Sequence, residues 1–194
     1  MANISIFGLG YVGCVGTACL AKLGHKVIGY DVDETKVSCI NQGIPTIVER
    51  EVDEVMKEAH TQGLISATSS TEQAVAKSSI SFLCVGTPNA SDGQLDTSCL
   101  FHAIRNIGKA LRSKSTFHIV VIRSTVPPGT NETATEILEK ESGKKAGINF
   151  AVVSNPEFLR EGMAVSDFLA PPITVLGSAN PQALKILRKI YEPL

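Results

Sequence analysis

Three glycines, Gly8, Gly10 and Gly13, stand in Gly-x-Gly-x-x-Gly spacing directly after a short apolar run, Ile4–Phe7, and directly before a helix-like stretch, 11–23. A second apolar run, Val27–Tyr30, ends at Asp31, eighteen residues past Gly13. Such glycines alone are a weak signal. Between a strand and a helix, with an acid at the tip of the next strand, they read as a dinucleotide site. Gly8 permits the tight turn, Gly10 lets the backbone approach a pyrophosphate, and Gly13 removes the side chain that would hold helix and strand apart. The N–H groups of the first helical turn then face the diphosphate. Asp31 would accept hydrogen bonds from both ribose hydroxyls and repel a 2′-phosphate, which predicts NAD rather than NADP. The competing reading is a glycine turn that binds nothing.

Further polar groups punctuate later apolar runs: Gly86-Thr87-Pro88, Arg123-Ser124-Thr125 and Asn155-Pro156-Glu157. A threonine at a strand tip can hold water without adding charge, and a partly desolvated carboxylate can serve as a base. Each has a plainer reading. Thr125 could simply end a strand before Pro127, and Glu157 could favour the start of a following helix. Lys36 reads equally as a group turned toward the ribose end of a cofactor and as a solvated helix lysine. Among the five cysteines, Cys14 and Cys19 read as core thiols, Cys84 sits in an apolar run where its thiolate is disfavoured, and Cys99 lies early in a helix.

These groups need elements to hold them, and the chain supplies an alternation. Apolar runs at 4–7, 27–30, 64–68, 80–85, 118–122, 150–153 and 173–176 predict seven strands. Helical stretches are expected at 11–23, from Asp33 to Gly43, and at 49–62, 71–78, 98–111, 130–142, 158–167 and 181–191. Asp96 or Thr97 would cap the fifth helix and Thr130 or Asn131 the sixth, with a turn at Asp92-Gly93 before them. The alternation predicts an α/β fold: a doubly wound, mainly parallel Rossmann-type sheet with flanking helices. In such sheets ligands sit off the carboxyl ends of the strands, where the polar punctuation falls.

Composition sets the class. The 194 residues are 43% hydrophobic and 19% charged, with a net charge of −1 and no tryptophan, as in an ordinary globular domain. That charge makes no electrostatic case for nucleic acid or an acidic membrane. No apolar run approaches the ~18 residues of a span, and the N-terminus runs straight into a strand, without a leader pattern. An odd number of cysteines without paired or metal-ligand spacing predicts reduced thiols, no metal and a cytoplasmic setting.

Read together, Phe7-Gly-Leu-Gly-Tyr-Val-Gly13, Cys84-Val-Gly-Thr-Pro88, Arg123-Ser-Thr-Val126 and Asn155-Pro-Glu-Phe-Leu-Arg-Glu161 resemble the nucleotide-sugar 6-dehydrogenases, the UDP-glucose/GDP-mannose dehydrogenase family. The motifs match in order and spacing along the whole chain. Gln42-Gly43, Ile47-Val48-Glu49, Asp92–Asp96, Ser142–Gly147 and Pro171–Gly177 lean toward the GDP-mannose branch of alginate biosynthesis, with UDP-glucose 6-dehydrogenase as the alternative. The resemblance implies an NAD-dependent, four-electron oxidation of a sugar C6 alcohol to a carboxylate through a cysteine thioester. It implies that Tyr11 and Val12 contact the diphosphate, Asp31 and Lys36 the adenosine ribose, and that Thr87 and Thr125 lie along the cofactor. Thr125 would also hold the catalytic water, Glu157 would be an acid–base residue and Glu161 a sugar-nucleotide contact.

The family's nucleophile belongs to a Cys-Pro-Lys-Asp motif that the chain lacks. Cys84 and Cys99 are poor substitutes. The expectation is therefore an N-terminal dinucleotide-binding domain, core about 1–154 with a βα extension at 155–194, without the family's central helix, C-terminal domain or dimer contacts. Such a portion would bind NAD without turning over nucleotide sugar. Two readings from other classes compete: a hydroxyacid-type dehydrogenase, whose catalytic lysine motif is missing, and a non-catalytic NAD-binding module, which has no use for Thr125 or Glu157.

Overall fold

A computed structural model describes residues 1–90 and 93–194. Six strands form one parallel sheet in the order β3-β2-β1-β4-β5-β6. They are β1 (Asn3–Phe7), β2 (Lys26–Tyr30), β3 (Ile65–Thr68), β4 (Ile80–Leu83), β5 (His118–Ile122) and β6 (Phe150–Ser154). The helices are α1 (Tyr11–Lys22), α2 (Glu34–Asn41), α3 (Val52–Thr61), α4 (Thr71–Ala76), α5 (Ser98–Leu111), α6 (Thr130–Ser142), α7 (Ala164–Leu169) and α8 (Pro181–Tyr191). The order is that of a doubly wound dinucleotide-binding sheet.

Every residue of β4 and β5 is buried, as the centre of a sheet covered on both faces requires. One apolar cluster joins Ile4, Ile6, Phe82 and Val121 to α1, α3, α7 and α8. The other joins Phe7, Leu83, Val120 and Ile122 to α4, α5 and α6. Alternate strand residues thus feed opposite cores.

Several sequence expectations are corrected. Residues 173–176 form no strand; Gly177 alone makes an antiparallel bridge, to Ser154. Pro171 and Pro172 bring no N–H to a ladder, and the Val175 carbonyl is taken by the Asn155 side chain instead. The helix expected over 158–167 is confined to α7. Before it the Leu159 N–H goes to the Glu157 carboxylate, the Arg160 N–H to that of Asp167, and Gly162 adopts φ +81°. Neither Thr130 nor Asn131 caps α6: Gly129 holds that position at φ +87°, while the Thr130 hydroxyl bonds the Pro127 carbonyl. Thr97 stands at the start of α5, where the Asp96 carboxylate takes the Ser98 N–H. The third helix starts only at Val52, the fourth ends at Ala76 and the fourth strand at Leu83. Asp92, in the turn expected at Asp92-Gly93, lies outside the described residues.

A polar chain crosses the second core. Ser78 Oγ reaches Ser5 Oγ at 2.9 Å, Ser5 Oγ lies 2.7 Å from Ser81 Oγ, and that oxygen lies 2.8 Å from His118 Nε2. Burial, with the Lys114 ammonium adding to it, pushes the His118 pKa down to about 3. The imidazole is therefore neutral in the fold, whereas in the unfolded chain it takes a proton below about pH 6.5. The unfolded state then binds more protons, so stability is present above pH ~6.5 and is lost as pH falls toward 3. This one group contributes a slope approaching about 1.4 kcal/mol per pH unit. Urea unfolding of the parent and of His118→Phe between pH 7 and 4.5 is expected to show a distinctly shallower loss in the variant.

Candidate dinucleotide-binding site

Parallel register puts the carboxyl ends of the strands on one side of the sheet, and the sequence-predicted groups gather there. At the tip of β1 the turn is built as its glycines require. Gly8 adopts φ +94°, and a Cβ there would lie 2.8 Å from the Cys84 carbonyl oxygen. A Cβ on Gly13 would lie 1.8 Å from the Gly8 carbonyl oxygen. Gly10 differs: a Cβ there would meet nothing within 4 Å. Protein packing forbids side chains at 8 and 13 but leaves open space at 10, where a ligand needs it.

The turn is held from both sides. Asp31, 7% exposed, accepts the Leu9 N–H at 2.7 Å and the Asp33 N–H at 3.0 Å. Thr46 Oγ1 donates to the Leu9 carbonyl at 2.6 Å. Gly10 caps α1 without a side-chain hydrogen bond, and the first turn carries no acidic residue. Its N–H groups are therefore available to an anion. The Lys36 ammonium turns back to 3.6 Å from Asp31 Oδ2. Asp31 thus braces the turn, a role its sequence position did not suggest.

Beside the turn lies a cleft of about 290 Å³ lined by Gly10, Tyr11, Val12, Thr87, Thr125 and Glu157, together with Cys84, Arg123 and Ser124. Thr87 Oγ1 donates to the Thr125 carbonyl at 2.8 Å, and Ser124 Oγ to the Val85 carbonyl at 2.7 Å, so the ends of β4 and β5 are tied together. Thr125 itself is exposed. Glu157 Oε2 accepts the Leu159 N–H at 2.6 Å. Cys84 also lines this cleft, with its thiol pushed up to about 12 by burial, so a reactive thiolate is not available there. Cys14 and Cys19 are fully buried. Glu161 is exposed and does not line the cleft, although its charge reaches the Tyr11 hydroxyl.

Two residues that the motifs contain carry roles their sequence position did not suggest. Arg123, 8% exposed, donates to Asn155 Oδ1 at 2.9 Å and stands 5.4 Å from the centre of the Phe168 ring, linking the tips of β5 and β6 to α7. Its signal was an arginine directly after five apolar or buried strand residues. Glu49, also 8% exposed, accepts the Tyr11 hydroxyl at 2.5 Å. Among the described residues no group of three His, Cys, Asp or Glu side chains could hold a metal ion, and no helix is long and apolar enough to cross a membrane.

Residues 2–194 match the UDP-glucose/GDP-mannose dehydrogenase family, NAD binding domain. The chain is 47% identical over 193 residues to GDP-mannose 6-dehydrogenase of Pseudomonas aeruginosa, covering 99% of this chain and 44% of that protein. A solved ternary complex of GDP-mannose dehydrogenase from the same organism superposes with a TM-score of 0.96, over 98% of this chain and 44% of the other. A UDP-glucose dehydrogenase structure from Pyrobaculum islandicum is 41% identical with a TM-score of 0.94, over 99% of this chain and 44% of that one. The chain spans less than half the length of these relatives.

Proposed function

Since the chain belongs to the UDP-glucose/GDP-mannose dehydrogenase family and is its NAD-binding domain, we propose that it works in the oxidation of GDP-mannose to GDP-mannuronate. The balance is RCH2OH + 2 NAD⁺ + H2O giving RCOO⁻ + 2 NADH + 3 H⁺. NAD, when bound, supplies a two-electron hydride acceptor for each stage. The turn fits it: open space at Gly10, close packing at Gly8 and Gly13, and a buried carboxylate at Asp31. The first turn of α1, at Tyr11 and Val12, would hold the diphosphate, and Asp31 with Lys36 the adenosine ribose.

Thr125 and Glu157 share the cleft with that turn, and this juxtaposition carries the reading. The Thr125 hydroxyl would orient a water, and the Glu157 oxygen not engaged by the Leu159 N–H would take its proton as the acyl group is hydrolysed. Glu161 would contact the sugar nucleotide from the neighbouring segment. The acyl group would be carried by a cysteine beyond residues 1–194, since Cys84 is unsuited to it. In this reading residues 1–154 are the dinucleotide-binding core, 155–194 extend it toward the sugar, and the whole enzyme is a homodimer.

The similarity to a GDP-mannose enzyme favours that sugar, while the UDP-glucose relatives keep the second branch in view. The test is an assay of the complete gene product. Two NADH per GDP-mannose consumed is the expected stoichiometry, and residues 1–194 alone are expected to give no steady NADH. One NADH per sugar overturns the four-electron reading; turnover of UDP-glucose with none of GDP-mannose moves the protein to the other branch.

A further inference from the structure

The loop before α3 contributes a carboxylate that no role in cofactor or sugar binding uses. Glu49 is buried and has no lysine or arginine partner within salt-bridge distance among the described residues. Its Oε2 accepts the Tyr11 hydroxyl at 2.5 Å and the Gly162 N–H at 2.8 Å, and its Oε1 accepts the Ala164 N–H at 3.4 Å. These donors hold its carboxyl below the usual carboxylate range, while burial and Glu49 together push the Tyr11 phenol well up. The carboxylate is ionised and Tyr11 is the donor.

Those donors belong to two parts of the site. Tyr11 opens α1, in the turn that faces the diphosphate. Gly162 directly follows Glu161, five residues past Glu157, and Ala164 opens α7. Residues 160–163 are exposed, so little apolar burial holds that segment. It is anchored besides by Asp167, which takes the Arg160 guanidinium at 2.7 Å and 3.0 Å, and by the Tyr11 hydroxyl, which lies 3.4 Å from the Arg160 carbonyl oxygen. The loop that delivers Glu49 is strained: Glu51, two residues on, has φ +66°, the one positive φ outside glycine among the described residues. Strain of this kind persists where the surroundings over-determine a conformation, often at a functional site. Thr46, in the same loop, grips the Leu9 carbonyl, so the loop engages the diphosphate turn at two points.

We propose that Glu49 is a positioning residue that fastens the diphosphate turn to segment 157–164, so that dinucleotide binding at α1 orders the carboxylates on the sugar side. The coupling path is short. A bound diphosphate fixes the first turn of α1, the Tyr11 ring leaves that turn, and its hydroxyl sets the carboxylate that receives Gly162 and Ala164. The inference rests on the reading of Glu157 and Glu161 as sugar-side groups.

Amide hydrogen exchange with and without NAD tests it. In the parent chain NAD is expected to slow exchange across 158–164 by about tenfold, in the range of ordinary coupling energies. Glu49→Ala removes the acceptor and leaves the diphosphate turn itself untouched; NAD is expected still to bind, but the slowing at 158–164 is expected to vanish. Glu49→Gln offers an amide oxygen in place of Oε2 and is expected to retain most of it. NAD binding to the parent without slowing of 158–164 overturns the inference, as does full slowing in Glu49→Ala. A parent that binds no NAD overturns the cofactor assignment itself, which separates the two failures.

Discussion

Gly13→Ala is expected to destabilise the fold by about 3 kcal/mol or more and to abolish NAD binding with it. The added methyl would sit 1.8 Å from the Gly8 carbonyl oxygen and 3.3 Å from Ile6 Cγ2. Neither neighbour can yield easily. Gly8 is fixed by its φ of +94° and by its N–H, which donates to the Tyr30 carbonyl at 2.8 Å, while Ile6 is fully buried in β1. The start of α1 must therefore lift from the sheet, which opens the first core at its junction with β1. Urea unfolding reads the loss as a fall in the transition midpoint.

Asp31→Ala is expected to weaken NAD binding by about 100-fold or more. Two effects add. The variant loses the charged acceptor proposed for the ribose, and it leaves the Leu9 N–H without its 2.7 Å partner, so the turn is no longer preset. Hydrogen bonds to charged groups contribute about 1.5–3 kcal/mol each, and 2.7 kcal/mol already corresponds to about 100-fold. The preference for NAD over NADP is expected to narrow at the same time, because the carboxylate that repels a 2′-phosphate is gone and Lys36 remains. Calorimetric titrations with both dinucleotides measure the affinity loss and the narrowing.

What the sequence revealed and what it hid follow from the range of the forces involved. The six strands and the glycine turn were legible because period, burial and turn chemistry are local properties. The expected seventh strand failed because an apolar run specifies burial or pairing only if its backbone can join a ladder. Here the Val175 carbonyl is taken by the Asn155 side chain, and Ile173 and Val175 stand exposed. The helix expected over 158–167 failed for a related reason: carboxylates of Glu157 and Asp167, one of them seven residues away from the N–H it takes, satisfy the backbone in an irregular path. Motif spacing brought Tyr11, Thr87, Thr125 and Glu157 into one cleft, but it assigned Asp31 only a ribose role and left Glu49 and Arg123 without any. The partners that define those roles, Leu9 for Asp31, Asn155 for Arg123, and Gly162 and Ala164 for Glu49, lie 22 to 115 residues away. Only the folded arrangement of the strand ends brings such groups together.

The open space beside Gly10 is proposed to be reserved for the dinucleotide rather than required by the fold. Calorimetric titration of NAD into the Gly10→Ala chain, beside the parent, tests it most directly. Apart from its chain neighbours, the methyl meets no protein atom within 4 Å, so the variant should keep its stability to within about 1 kcal/mol. The expected result is saturable NAD binding at one site in the parent and none measurable in the folded variant. Equal affinity in the two chains, or a parent that binds no NAD, would contradict the account.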